Sequence, residues 1–504
     1  MSGTMNILWL ASEAFPLIKT GGLADVAGAL PRALIKRGHS VRLVLPAYAS
    51  VFQRLESHGT EGKAPPLKPR GTLLLDGREV RLWQSRLPGT RVIAWLVDIP
   101  EFSERAGNPY VNAQGRDWPD NHRRFYTLCR AAVELAMGRA GIDWKADLVH
   151  ANDWQGAMAC ELLAREDKGK TRPPASVFTI HNLAYHGLFS HSALQELGLP
   201  PWLWQPDYLE FYGQLSFIKG GLVFANRLTT VSPTYAQEVQ TPDVGCGLDG
   251  LLRARRHQFC GILNGIDMNE WNPKRDPHLS ARYDREHLGK KKLNKQALCE
   301  QLGLAYVPDK PLLGFIGRMV EQKGLDLLLG TLPEFLARNE IQVAILGSGM
   351  TEYEEAFQKL ARDYPTQLSV NLGYNEALAH RIEAGVDLFL MPSLFEPCGL
   401  NQLYSLRYGT LPLVHAVGGL KDTVIDGDDP EQANGFCFQS PTTSALRATI
   451  QRALSLYREH PEAWQARQLN AMGGDYSWDR SAAEYERVYE AALLESASEL
   501  PSMG

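Results

Sequence analysis

Asn6-Ile7-Leu8-Trp9-Leu10 opens the stretch that decides the fold; Ser12-Glu13-Ala14-Phe15-Pro16-Leu17-Ile18-Lys19-Thr20-Gly21-Gly22-Leu23 continues it, and Val41-Arg42-Leu43-Val44-Leu45-Pro46 closes it. The first run is nearly all apolar, the pattern of a strand buried on both faces. From Leu23 to Lys36 apolar residues return at helical spacing (Leu23, Val26, Ala27, Leu30, Leu34), and Gly38 ends the helix. Strand, loop, helix, strand is the βαβ unit of a parallel sheet.

The unit recurs. Asp147-Leu148-Val149-His150, Ser176-Val177-Phe178-Thr179-Ile180 and Arg227-Leu228-Thr229-Thr230-Val231 read as further strands, so the first half is expected to be a doubly wound α/β domain. A second series starts after Ile262-Leu263-Asn264-Gly265-Ile266-Asp267 and a loop-rich, charged stretch from Trp271 to Lys295. Its strands are expected at 312–317, 343–347, 388–392 and 411–414. Two such domains in tandem would leave a cleft between them. The stretch 481–496 has Ala482, Tyr485, Val488, Tyr489 and Leu493 near one face, which predicts a closing helix followed by a disordered tail.

At 504 residues and 44% hydrophobic content the chain can bury two large cores, at about 100–200 residues per domain. Lys+Arg total 52 against Asp+Glu 57, a formal charge of −5, so no global field favours nucleic acid or an anionic membrane. Phosphate recognition must then be local. The seven cysteines are scattered, without a C-x-x-C pair or a His at zinc-finger spacing, which suits reduced, mostly buried thiols in a cytoplasmic protein. The N-terminus lacks a basic region, Glu13 and Lys19 cut the apolar stretch behind it, and no run approaches the roughly 18 apolar residues of a membrane span.

In open α/β sheets ligands bind beyond the carboxyl ends of strands, where helix N-termini offer free N–H groups to anions. Gly21 and Gly22 sit at such a place, with Lys19 beside them, as a diphosphate cradle or as an ordinary βα turn with a solvent-exposed lysine. Gly317-Arg318-Met319-Val320-Glu321-Gln322-Lys323-Gly324 follows a strand and sets two cations five residues apart. The arginine can grip phosphate oxygens as a fork and the lysine adds a compact charge, neutralising a departing diphosphate; the alternative is a solvated pair. Ser393-Leu394-Phe395-Glu396-Pro397-Cys398-Gly399-Leu400-Asn401 places Glu396 at the mouth of a helix, to orient a sugar or simply to cap that helix. His181-Asn182 and His150-Ala151-Asn152-Asp153-Trp154 end apolar strands with polar groups. Dinucleotide-binding, P-loop, zinc-protease and nucleophile-elbow motifs are absent in any fitting context.

These segments together resemble the bacterial glycogen synthase and plant starch synthase family, from Asn6 to about Glu490. The resemblance rests on Lys-Thr-Gly-Gly-Leu-Ala-Asp at 19–25, Asn-Asp-Trp at 152–154 and Thr-Ile-His-Asn at 179–182. Asn-Gly-Ile-Asp at 264–267, Gly-Arg at 317–318 with Lys323, and Glu-Pro-Cys-Gly-Leu at 396–400 complete it. It implies an α/β, GT-B architecture: two Rossmann-like doubly wound domains facing a deep cleft. An acceptor domain would span 1–262, completed by a return helix at 478–498, and a nucleotide-sugar domain would span 263–477.

The implied activity is transfer of glucose from ADP-glucose to an α-1,4-glucan with retention of configuration. By the same resemblance Lys19, Gly21 and Gly22 would contact the donor, with Asp25 close by. Arg318 and Lys323 would bind the diphosphate, with Cys398, Gly399, Leu400 and Asn401 assisting. Glu396 would be the central carboxylate, and His181 with Asn182 would line the reacting face. Asp153, Asn264 and Glu13 would serve the glucose or acceptor region, and Tyr374 would flank the base. Many GT-B enzymes have a second glutamate eight residues after the first; here Tyr404 stands there, so ribose recognition is not assigned to it.

No cofactor and no metal are expected, because Arg318 and Lys323 can supply the neutralisation a divalent ion gives elsewhere. For retention two routes stay open: Glu396 as nucleophile, or a front-face route in which the leaving phosphate deprotonates the acceptor; the second is preferred. The rivals are a catalytically silent GT-B glucan-binding scaffold, a related transferase, and a phosphorylase, which would reveal pyridoxal phosphate by its absorbance. Base specificity and oligomeric state do not follow from the residues.

Overall fold

The strand Asn6–Leu10 lies in the middle of a nine-stranded sheet, paired in parallel with Ser40–Pro46 on one side and Leu148–Asn152 on the other. Ile7 to Leu10 are fully buried, as a strand covered by helices on both faces requires. In this computed structural model residues 3–60, 66–112, 114–166 and 172–498 are described. One side of the sheet grows from Ser40–Pro46 to Ile93–Asp98. The other runs through Leu148–Asn152, Ala175–Ile180 and Arg227–Thr230 to Phe259–Gly261. The direction of growth therefore reverses between Asn6–Leu10 and Leu148–Asn152, and the loops after those strands open at the switch point.

The parallel sheet ends in two antiparallel strands, Arg78–Arg86 and Lys68–Leu75, which the sequence reading did not anticipate. Lys68–Leu75 is exposed on most positions and buries Leu73 and Leu75. That is an edge strand with one wet face, whose short apolar alternation carries little signal.

The chain divides into two units: Met1–Val231 with Ala236–Ile262 and Trp478–Gly504, and Ser232–Tyr235 with Leu263–Ser477. The first is completed by the helix Trp478–Ser498. Tyr485 and Tyr489 of this helix are fully buried, and the Arg37 guanidinium grips Glu486 with two hydrogen bonds of 2.7 Å. The disordered tail expected after this helix lies outside the described residues. No helix among the described residues is long and apolar enough to cross a membrane.

The second unit has a six-stranded, all-parallel sheet. Its order is Leu368–Leu372, Gln342–Gly347, Leu312–Ile316, Leu388–Met391, Leu411–His415, Phe436–Phe438. Its switch point falls between Leu312–Ile316 and Leu388–Met391. The stretch read as loop-rich ends in a short 3-10 turn, Arg285–Lys290, and the helix Lys291–Leu302. Lys291 and Lys295 of that helix are buried, not solvated. Lys291 donates to Ala384 O and Thr410 Oγ1, and burial pushes its ammonium down to about 7. Lys295 pairs with Asp387 at 2.8 Å. All seven cysteines are free, with Cys246 and Cys260 exposed and Cys437 half-buried.

Candidate active site

In the C-terminal unit the loops that follow the two strands at the switch point meet. Lys323 comes from the turn after Leu312–Ile316 and Glu396 from the loop after Leu388–Met391; Lys323 Nζ lies 2.5 Å from Glu396 Oε2. Ser393 Oγ donates to the same oxygen at 3.0 Å. Glu396 is therefore no helix cap: the helix Asn401–Arg407 starts at Leu400 without a side-chain cap, so its leading N–H groups are free to meet an external acceptor. Asn401 Nδ2 donates 2.7 Å to Ile316 O, tying the helix start to the neighbouring strand end. Arg318 is exposed and makes no ion pair among the described residues.

Two glycines make this geometry possible. Gly324 has φ +66°, and a Cβ there would stand 2.0 Å from Pro392 O. Gly418, with φ +44°, would put a Cβ 2.0 Å from Glu396 O, while the Gly419 N–H donates to that carbonyl at 3.2 Å. A further clamp comes from Ser232, whose hydroxyl donates 2.6 Å to Pro397 O.

Cys398 is buried and takes a hydrogen bond from the Asn264 N–H; burial pushes its thiol up to about 12, so it packs as an inert group. Asn264 Oδ1 is buried without a hydrogen-bond partner among the described residues, an acceptor suited to a hydroxyl donor. Tyr374 follows Leu368–Leu372 and Gly373 and is 76% exposed.

In the N-terminal unit the switch-point loop is organised by Glu13. Its carboxylate accepts from the Thr20 N–H (2.5 Å) and hydroxyl (2.7 Å), from the Gly21 N–H (3.3 Å) and from the Tyr110 hydroxyl (2.8 Å). Burial raises its pKa, and these bonds oppose the rise. Glu13 thus spends its oxygens on shaping its own loop. Gly21 and Gly22 open the helix Gly22–Lys36, and a Cβ on either meets nothing within 4 Å, so the backbone there is bare. Lys19 pairs with Asp25 at 2.8 Å with 37% of its side chain exposed. Such an exposed pair is worth at most about 1 kcal/mol, so Asp25 holds the lysine only weakly.

Asp153 starts the helix Asp153–Ala164 at φ +51°, a left-handed backbone unusual for a non-glycine residue. Its carboxylate accepts the N–H groups of His181 (2.7 Å) and Asn182. Burial, the larger effect, pushes it up to about 7. His181 Nε2 lies 2.9 Å from Asn152 Oδ1. The Asn152 amide donates to Leu10 O, which fixes Oδ1 as acceptor; Nε2 therefore carries the proton and Nδ1 its lone pair. Burial pushes His181 down to about 3, so the ring is neutral.

His150 has a different fate. Its ring bridges Tyr489 OH (2.8 Å) and Thr179 Oγ1 (2.6 Å) inside the unit, a structural strut to the closing helix. Ser393, Ser232, Tyr110 and Asn152 were not singled out as site residues from sequence. Ser232 and the Gly418-Gly419 pair follow strands as the recognised motifs do, which is a usable signal. Tyr110 lies 97 residues from Glu13 and gives none.

A family profile described as "Starch synthase catalytic domain" matches residues 6–254, and one described as "Glycosyl transferases group 1" matches residues 304–469. A glycogen synthase of Cellvibrio japonicus is 58% identical over 96% of this chain and 98% of its own. One of Marinobacter nauticus is 52% identical over 96% and 97%. The catalytic domain of starch synthase IV from Arabidopsis thaliana, solved bound to ADP and acarbose, superposes with a TM-score of 0.85 at 33% identity, covering 98% of this chain and 100% of that one. A sucrose-phosphate synthase from Thermosynechococcus elongatus, at 15% identity and a TM-score of 0.57, shares the fold. Two Rossmann-like units with strand-end sites define a GT-B glycosyltransferase. Within that class, the chain belongs to the glycogen synthase and starch synthase family.

Proposed function

We propose that this protein elongates an α-1,4-glucan in the cytoplasm, moving glucose from ADP-glucose to the non-reducing end with retention of configuration and without a metal. The observation that carries the reading is the Lys323–Glu396 pair beside Arg318, all at the switch point of the C-terminal sheet. Two cations, one without an ion-pair partner among the described residues, beside an uncapped helix start make an anion grip that a glucan-binding module does not need.

In this proposal the C-terminal unit holds the donor. Arg318, Lys323 and the Leu400 and Asn401 amides take the diphosphate, assisted by the Cys398-Gly399 turn, and Tyr374 stacks on the base. Glu396, fixed through one oxygen by Lys323 and Ser393, presents the other to the glucose hydroxyls. Asn264 Oδ1 accepts from a sugar hydroxyl. Within the N-terminal unit, Lys19 and the bare Gly21-Gly22 backbone are the anion-binding groups of this reading, with Asp25 releasing Lys19 as phosphate arrives. Glu13 and Asp153 hold the loops that do this, and the neutral His181 with Asn182 lines the reacting face.

Chemically, the bond from glucose C1 to the phosphate oxygen breaks, the acceptor 4-oxygen bonds to C1 from the same face, and its proton passes to the departing diphosphate. Arg318 and Lys323 stabilise the charge gained by that leaving group, and the carbonyl dipole of His181 stabilises the positive charge at C1.

The test is transfer to maltooligosaccharides from radiolabelled ADP-glucose and UDP-glucose, wild type beside Glu396→Ala. Elongation from ADP-glucose that collapses by about 10²-fold or more in the variant supports the assignment. Binding without elongation from either donor overturns it in favour of a scaffold. A glucosyl group trapped on Glu396 would refute the front-face step alone.

A further inference from the structure

A second chemistry-bearing cluster in the C-terminal unit uses none of the residues assigned above. His380, on the helix Glu376–Gly385, is 2% exposed, and its ring lies flat on Trp271 with centroids 3.9 Å apart and 8° between planes. Its Nδ1 donates to Asp276 Oδ2 at 2.7 Å, an oxygen that also accepts from the Tyr408 hydroxyl at 2.5 Å. Stacking and hydrogen bond together fix the ring and aim Nε2 at two carboxylates, Glu376 and Glu270. The ligand atoms of Glu270, Glu376 and His380 all lie within 4.8 Å of one another.

The Nε2 to Glu376 Oε1 distance is 3.6 Å, beyond hydrogen-bond range. It is close to the edge of a tetrahedron around zinc, roughly 3.3 Å for metal–ligand bonds of ~2.0–2.1 Å. A histidine whose far nitrogen is held by a carboxylate is the outer-shell arrangement that orients metal-ligating imidazoles. One imidazole with two carboxylates suits zinc or cobalt, whereas magnesium prefers oxygen and water alone. Glu270 is exposed and Glu376 half-buried, which gives an ion a way in.

We propose that Glu270, Glu376 and His380 Nε2 bind one divalent transition-metal ion of the zinc class, with water as fourth ligand and Asp276 as the outer-shell carboxylate. The ion would clip the segment 270–276 to the helix Glu376–Gly385. It plays no part in glucosyl transfer, so the inference stands whether or not the functional assignment does.

The experiment titrates cobalt(II) into chelator-stripped full-length protein. One equivalent with the strong visible absorption of four-coordinate cobalt, displaced by zinc, is expected. Glu376→Gln and Glu270→Gln each weaken binding by at least the ~10–100-fold typical of outer-shell losses, while Asp284→Asn, in a separate trio with Glu286 and His287, leaves it unchanged. Thermal unfolding in chelator verifies that the variants fold. If one does not, Glu376→Asp or Glu270→Asp takes its place, weakened binding supporting the site and unchanged affinity overturning it. No stoichiometric binding, or binding indifferent to Glu376 and Glu270, also overturns it.

Discussion

Lys323 and Glu396, 73 residues apart in sequence, form an ion pair of 2.5 Å in which the carboxylate keeps 9% of its side-chain surface exposed and the ammonium 19%. Arg318, on the same turn as Lys323, has no such partner among the described residues. The two cations therefore separate folding from binding. Lys323→Ala leaves a mostly buried carboxylate unpaired and is expected to cost roughly 2 kcal/mol of stability, less than the ~3–5 of a fully buried pair because some solvent remains. Arg318→Ala should leave stability within about 0.5 kcal/mol. Both should lower transfer by about 10²-fold or more. Urea unfolding beside initial rates checks this; Arg318→Ala at wild-type rate would remove it from the diphosphate grip.

Gly418→Ala places a methyl 2.0 Å from Glu396 O at a φ of +44°. The Glu396 loop must move, by something near an ångström, and a displacement of that size can cost about 10²-fold in rate. The expected signature is a fall in kcat with donor KM changed much less. A variant with wild-type kcat would show that the loop tolerates the shift and that Glu396 needs no such clamp.

Tyr489→Phe removes the hydroxyl that meets His150 Nδ1 at 2.8 Å, both residues being fully buried. Leaving the imidazole nitrogen unsatisfied should cost about 1–3 kcal/mol. Because this strut lies inside the first unit, kcat at a temperature where the variant is folded should stay within about twofold of wild type. Denaturant midpoints with initial rates distinguish this from a catalytic role, which would lower kcat at unchanged stability.

His150 and His181 mark the limit of what residues alone disclose. Both stand at the end of an apolar run, yet His150 sits within its strand and turns inward to a tyrosine 339 residues away, while His181 lies just beyond its strand and meets Asn152 and Asp153. Strands that carry the sites were readable because double burial makes them continuous apolar runs, as in Asn6–Leu10. The edge strand Lys68–Leu75 was not, since one wet face dilutes the pattern. Arg318, Lys323 and Glu396 were recognisable as strand-end residues. That Glu396 answers Lys323 depends on Leu312–Ile316 lying beside Leu388–Met391, a topological fact that no local spacing encodes. Lys291 and Lys295 misled for the converse reason: their partners are distant carbonyls and Asp387, so a buried helix face reads as a charged loop.

Asp153 and His181 should compensate each other in acid. Burial holds Asp153 at about 7 and His181 at about 3, against ordinary values of 3.8 and 6.5. The raised carboxyl contributes stability that is complete below 3.8 and lost as pH rises through about 7. The depressed imidazole contributes stability that is complete above 6.5 and lost as pH falls through about 3. Between about 4 and 6.5 the native pair holds one proton, on Asp153, and the unfolded pair also holds one, on the histidine; the pair adds no slope there. Asp153→Asn breaks this balance with little strain, since asparagine tolerates the φ of +51° and its carbonyl still accepts the His181 N–H. The native state of the variant then holds no proton where the unfolded state holds one, so its stability falls by about 1.36 kcal/mol for each pH unit below 6.5. His150, also pushed down by burial, contributes equally to both proteins and cancels in the difference. Urea unfolding at pH 6.5 and 5.0 should show the variant losing about 2 kcal/mol more than wild type across that interval. Equal losses would mean that Asp153 is ionised in the fold, and that its two N–H donors outweigh its burial.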